Sequence, residues 1–362
     1  MPRTAQSNWL IAGLLLTMAG VLGMLVLAAI GLETGMAAFL AGLLMAVVPV
    51  PFYVAFALWI DRFEPEPPWV LGVAFLWGAS IAVFFALIFN SLNEGILTAV
   101  FGAPDASALT NILSAPLVEE LAKGTALLLL FVWKRDEFDN VTDGIVYACM
   151  VGLGFAMIEN VQYYGRAAAS SDGAAGVFLL RGIVGPFAHP LYTSATGIGF
   201  GLARESKRAW VKWIAPLLGL GAAMLLHGIW NLSASLDGAF LGTYVFIMMP
   251  VFFAVIVVAL LSLRREARIV RAHLEGVVAS GLISADDLIV VTSVRRRIGA
   301  SARALLRGGF RKWVARRRFH ALATELAFHS WRTSREAEAD AQTVHARLVE
   351  AVRTAAAQVA TG

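Results

Sequence analysis

The sequence is short of charge and almost without cysteine. Only 15% of its 362 residues are Asp, Glu, Lys or Arg, 59% are hydrophobic, and the mean hydropathy is +0.72. That balance excludes an ordinary soluble domain. The single cysteine, Cys149, excludes an intrachain disulfide framework and a cysteine-based metal cluster; set in an apolar run, it reads as a small buried hydrophobe. There is no phosphate-cradling glycine loop, no repeat of fixed period and no His-Glu-x-x-His motif. The glycines of "GIGFG", Gly197 to Gly201, end an apolar run and read as a helix-packing element.

What the sequence has is long apolar runs. Runs of about 20 residues bounded by polar clusters predict eight spans, at about 9–30, 36–60, 69–90, 111–133, 143–165, 177–200, 213–232 and 240–263. The first run exceeds a signal h-region and lacks a small-residue cleavage site, so it reads as a retained span. The expected fold is therefore all-α: a polytopic membrane bundle of about eight helices. It divides into an N-terminal helix and loop (1–35), a seven-helix core (36–263) and a basic helical tail (264–362).

Charge sets the orientation. With the N-terminus inside, the cytoplasmic segments hold Arg3, Arg62, Lys134, Arg135, Arg204, Lys207, Arg208 and Lys212, and the opposite side holds only Arg166. The positive-inside rule then puts both termini in the cytoplasm. Residues 1–263 carry 11 Lys/Arg against 16 Asp/Glu, whereas 264–362 carry 18 against 9. A tail so basic and tethered beside a bilayer suits anionic lipid headgroups better than nucleic acid. Its His320, His329 and His345 lack partnered spacing and imply no metal or catalytic role. The loop "DRFEPEPPW", Asp61 to Trp69, reads as a stiff non-helical turn whose acids either hold a partner or, in the plainer reading, are solvated. A short interfacial or re-entrant piece is expected around Gly95 to Phe101.

Against this apolar background a few ionisable groups stand out, because each costs roughly 2.5 to 3.5 kcal/mol at the centre of a span. They are Glu119, Glu120 and Lys123 in the fourth span; Asp143 and Glu159, with Asn160, in the fifth; Arg181 and His189 in the sixth; His227, with Asn231, in the seventh. Glu119 and Glu120 lie four and three residues before Lys123, so the lysine can reach both. His227 and Asn231 share a helical face, as do His189, Thr193 and Thr196. At 1.5 Å per residue these groups converge in the outer half of the bilayer, His189 included if Gly182, Gly185 and Pro186 break the sixth span.

Paired carboxylates with imidazoles are the inventory needed to activate water: a glutamate as general base, with His227 and Asn231 holding the developing oxyanion. The same groups could hold zinc, through Glu159, His189 and His227 with Glu119 or Glu120. Spacing does not assign which glutamate is the base. Among structural roles, Glu159 could pair with Lys123, Asn160 and Asn231 could bond across helices, Arg181 and Asp143 read as an anchor and a cap, and Thr193 and Thr196 as bonded to their own helix backbone.

Taken in order, "EELAK" at Glu119 to Lys123, "FAMIEN" at Phe155 to Asn160, His189 and "HGIWN" at His227 to Asn231 resemble the motifs of PrsW-type intramembrane proteases, and "EPEP" at Glu64 to Pro67 fits that group. The resemblance covers roughly residues 36–263. The group is itself similar to the CAAX prenyl endopeptidases, whose second motif ends in His where this chain has Glu159. The resemblance implies cleavage of membrane-anchored proteins, anti-sigma factors among them, with Glu119 and Glu120 as the catalytic pair, His189 and His227 essential, and Glu159 and Asn231 lining the site. Such enzymes have been described as metalloproteases and as glutamic-type; the paired glutamates favour the second, with no cofactor required and zinc as the alternative. Two rivals remain from other classes. A proton-coupled transporter would carry polar groups through the full bilayer depth, and an inert scaffold would use the buried glutamates for assembly alone.

Overall fold

The computed structural model describes residues 3–63, 65–135, 137–170, 173–236, 238–334 and 341–360. Glu64 of the "EPEP" motif lies outside the described residues, as does the side chain of Arg3. Among the described residues there is no strand. The chain forms two units, residues 1–60 with 66–259, and residues 61–65 with 260–362.

In the first unit the main helices are α1 (Arg3–Thr34), α2 (Met36–Ile60), α3 (Pro68–Phe101), α4 (Ala115–Trp133), α5 (Val141–Ala169), α6 (Ala188–Glu205) and α7 (Ala209–Ser235). An eighth, α8 (Met249–Ala279), carries the chain onward. Among the described residues, seven segments are long and apolar enough to cross a membrane. α4 has the length, but Glu119, Glu120 and Lys123 keep it out of that set.

The hub is α5, which is buried along almost its whole apolar length. Asn140 starts it: its side chain accepts from the amides of Thr142 and Asp143, and Asp143 returns the bond to the Asn140 amide. This reciprocal cap is the role expected of Asp143. Neighbours reach α5 closely because glycines meet it. Gly144 and Gly197 face each other with no room for a β-carbon on either, and one on Gly152 would lie 2.7 Å from the Pro190 nitrogen. Gly199 and Gly201 make similar approaches to Ala215 and to Asn140–Val141, so "GIGFG" packs helices.

Two departures from the sequence reading concern α3 and the loop before it. Helix continues without interruption from Val83 to Phe101 and stops at Gly102, whose φ is 87°; no re-entrant piece forms at Gly95 to Phe101, where nothing breaks the hydrogen-bond ladder before that glycine. The acids of the "DRFEPEPPW" loop are not solvated: Asp61 and Glu66 are buried, and Glu66 accepts a hydrogen bond from the Tyr147 phenol. A buried carboxylate requires such donors.

The sixth span is interrupted. A helical turn at Ala174–Phe178 and a wide π-type turn at Leu179–Val184 lead to a non-helical stretch at Gly185–Phe187, after which α6 begins at Ala188. His189 therefore stands in the first turn of a helix.

The second unit packs the end of α8 with α9 (Ala285–Val291), α10 (Val294–Thr333) and α11 (Ala341–Ala360). Its core includes Val270, Leu274, Phe319, Leu326 and Val352. α10 bends at Gly309, where φ is 71°. The Arg297 guanidinium donates to the Arg62 carbonyl at 2.9 Å and lies 5.1 Å from the Phe63 ring centre, binding residues 61–63 into this unit.

Candidate active site

The site is assembled from α4, α5, the break before α6, and α7. Spacing on α4 points Glu119, Glu120 and Lys123 inward, and all three are buried, Glu120 and Lys123 completely. The Lys123 ammonium lies 2.8 Å from Glu120 Oε1, 3.5 Å from Glu119 Oε2, 2.9 Å from His189 Nδ1 and 3.8 Å from the centre of the Phe155 ring. Three acceptors and a ring face account for every direction in which this ammonium can be stabilised.

The two glutamates differ in their surroundings. Glu120 accepts from Lys123, from the Thr193 hydroxyl at 3.0 Å and from His227 Nδ1 at 3.1 Å. Glu119 has only the long Lys123 contact and His227 Nε2 at 3.9 Å, and it lines a polar cavity of about 400 Å³. Its carboxylate is the one with capacity to spare. His189, His227, Glu159 and Asn231 line the same cavity.

Donor and acceptor counting orients both imidazoles. An ammonium has no lone pair, so His189 Nδ1 accepts from Lys123 and the proton resides on Nε2, directed at Glu159 Oε2 2.8 Å away. At His227, Nδ1 donates to Glu120, which turns the Nε2 edge toward Glu119. The two rings meet edge-on, with centres 5.1 Å apart, and Tyr192 stacks on His227 at 5.0 Å.

Several residues take roles other than those their spacing suggests. Glu159 does not pair with Lys123. It pairs with Arg181, whose Nε also donates to Asn160 Oδ1 at 2.7 Å and whose guanidinium lies 3.8 Å from the Tyr163 ring centre. Arg181 is thus no peripheral anchor: the π-type turn swings it inward onto the acid that holds His189. Thr193 bonds Glu120 in place of its own helix, and the buried Thr196 hydroxyl has no hydrogen-bond partner. Asn231 does bond between segments, donating to the Asn111 carbonyl at 2.8 Å. The sequence does hold a signal for Arg181, since an apolar run does not tolerate an arginine without an acid nearby.

Paired carboxylates and imidazoles gathered around a polar cavity in an all-helical membrane protein are groups able to activate water, and comparison with known proteins places the chain in the intramembrane protease class. The chain belongs to the PrsW family: residues 66–282 match the family described as PrsW family intramembrane metalloprotease. It is 32% identical over 176 residues to Protease PrsW of Geobacillus kaustophilus, covering 47% of this chain and 69% of that one. It is 27% identical over 205 residues to Protease PrsW of Oceanobacillus iheyensis (55% and 84%) and 28% over 194 residues to that of Bacillus subtilis (52% and 79%). No solved structure matches.

The family description names a metal, for which one donor set occurs among the described residues. Glu119, His189 and His227 have ligand atoms within 4.8 Å of one another, a combination whose residue types suit zinc. Glu159 is outside that group, drawn off by Arg181. In this arrangement the set does not fit. His189 turns its lone pair to the Lys123 ammonium and its N–H to Glu159, so it has nothing to give a cation. Only Glu119 and His227 Nε2 remain, with an ammonium 3.5 Å from the carboxylate.

Proposed function

We propose that this intramembrane protease cuts its substrates with a water activated by Glu119. The observation that carries the reading is the contrast between the two glutamates: Glu120 is saturated by three donors while Glu119 faces the cavity. The 3.9 Å between Glu119 Oε2 and His227 Nε2 is too long for a direct hydrogen bond and short enough for one water to touch both. Glu119 takes the proton as the water oxygen attacks the peptide carbonyl. The second N–H of the Asn231 amide is available to the oxyanion, its other bond being held by Asn111. As the tetrahedral adduct collapses and the C–N bond breaks, the proton taken up by Glu119 passes by way of His227 Nε2 to the departing amine nitrogen, and the new carboxyl group leaves as the other product. Lys123, Glu120 and His189 hold this geometry, and Arg181 holds His189 through Glu159.

The test is cleavage of single-span reporter proteins by the reconstituted enzyme. Glu119→Gln is expected to lower the rate by about 10²- to 10⁴-fold, the usual worth of a positioned base. Wild-type cleavage by that variant would sink the assignment. Activity that persists in protein shown to be metal-free supports the water-only reading, whereas activity lost on chelation and restored by zinc favours the 4.8 Å donor group.

The substrate in this reading is a membrane-anchored protein and the setting a bacterial plasma membrane, with both termini cytoplasmic. The tail meets anionic lipid at the bend of α10. There Leu306 and Phe310, 84% and 69% exposed, stand among Arg303, Arg307, Arg311 and Lys312, an apolar tip in a basic ring that suits an interface. Full-length protein in nanodiscs, labelled through Leu306→Cys, should shield the label in anionic but not in zwitterionic lipid; equal exposure in both overturns this.

A further inference from the structure

The polar cavity holding Glu119 and His227 shares a wall with a second cavity of about 230 Å³. Gly185, Pro186, Ala188 and Trp230 border both. The shared wall is built from the break before α6, where Gly185 and Pro186 leave helical geometry, together with Ala188 at the start of α6 and Trp230 of α7.

The second cavity differs from the first in chemistry. Its remaining walls come from residues such as Leu191, Tyr192, Met248, Met249 and Phe252, and among the described residues no Asp, Glu, Lys, Arg or His lines it. Tyr192 links the two chemically distinct spaces: one face of the residue lines the apolar cavity, and its ring stacks on His227. The wall from the segment leading into α8 contains a π-type turn, Tyr244–Met248, a distortion that recurs at functional sites. Met248 and Met249 give that wall flexible thioether side chains able to adapt to more than one shape.

Position and lining select the occupant. The cavity adjoins the one that holds Glu119 and His227 and, among the described residues, is lined without a charged side chain, which suits one large apolar side chain of a substrate held at the site. We propose that this cavity is the subsite that receives one substrate residue beside the scissile bond, and that it selects Phe, Leu, Met or Trp over small or charged residues. The proposal rests on the bond being cut between Glu119 and His227. It adds which side chain the enzyme reads there.

The experiment co-reconstitutes the full-length enzyme with a pool of single-span reporters whose segment next to the span is randomised. Cleaved bonds are identified by mass spectrometry, with Glu119→Gln as background. One position next to the cut should favour large apolar residues over alanine by roughly 10- to 100-fold, the worth of burying such a side chain. Met248→Trp, which fills the cavity, should move the preference to Ala and Gly, and Met248→Ala should move it toward Trp. Cleavage without an apolar preference at any position overturns the proposal from the wild-type profile alone, whether or not the variants fold. So does a preference that Met248→Trp leaves unchanged, as a lipid chain in the cavity would produce. Absence of cleavage in every reporter would instead sink the protease reading beneath it.

Discussion

His227 Nδ1 lies 3.1 Å from Glu120 Oε1, and this contact decides which edge of the imidazole the cavity meets. With Nδ1 committed as donor, the Nε2 edge is the one presented to a water beside Glu119. Glu120→Gln keeps the side-chain volume and can offer its amide N–H or its carbonyl to His227, so the tautomer is no longer imposed. The variant should lose about 10- to 100-fold in kcat, as is usual when the group orienting an active imidazole is changed, with KM little altered. A loss confined to KM would place Glu120 in substrate binding and contradict the orienting role.

Arg181 reaches the base Glu119 through three intervening residues. Its guanidinium holds Glu159, Glu159 accepts from His189 Nε2, and His189 Nδ1 accepts from Lys123. Arg181→Gln should therefore lower kcat by about 10-fold or more and leave a buried carboxylate uncompensated. Arg181→Lys should recover part of it. The double variant Arg181→Gln with Glu159→Gln should be less impaired in thermal stability than the sum of the two singles, because both remove one interaction. Additive losses would show that the two residues work independently.

The charged groups of the site were legible in the sequence because hydrocarbon makes each of them expensive, and their helical spacing put Glu119, Glu120 and Lys123 within reach of one another. The break before α6 was legible in Gly182, Gly185 and Pro186. Partner choice was not. That Glu159 takes Arg181 and leaves Lys123 to His189 depends on the π-type turn at Leu179–Val184, which rotates Arg181 inward, and apolar periodicity carries no mark of one extra residue in a turn. Nor could spacing separate Glu119 from Glu120, since the difference lies in Thr193 and His227, donors on two other helices.

Close approach at α5 leads to a prediction about stability coupled to function. Gly152 packs against the backbone of His189 and Pro190, so closely that a β-carbon on it would stand only 2.7 Å from the Pro190 nitrogen. Gly152→Ala forces that backbone away and should cost about 1 to 3 kcal/mol of stability, typical of overpacking. Because His189 moves with it, activity should fall further than stability explains. Gly72→Ala, with open space around the position, is the control and should be near neutral. The comparison is made by thermal unfolding and reporter cleavage on the same preparations.

The tail carries a pH response of its own. His320 is 4% exposed, and its Nε2 is buried without a hydrogen-bond partner. Burial, and after it the positive charges of Arg297, Arg316 and Arg317, push its pKa down from 6.5 to about 3. Above pH 6.5 the imidazole is neutral whether the tail is folded or unfolded, and it adds no pH dependence. Below that value the unfolded chain takes up a proton that the folded chain refuses, so stability falls as pH drops from 6.5 toward 3. The slope approaches about 1.4 kcal/mol per pH unit. Amide exchange of the full-length protein, corrected for the intrinsic rate, should therefore show protection around Phe319 to Thr324 falling by up to about 5-fold between pH 6.5 and 5.5. His320→Leu removes both the titration and the unpartnered nitrogen, so it should flatten this dependence while preserving protection at neutral pH. An unchanged pH slope in that variant would assign the response to another group.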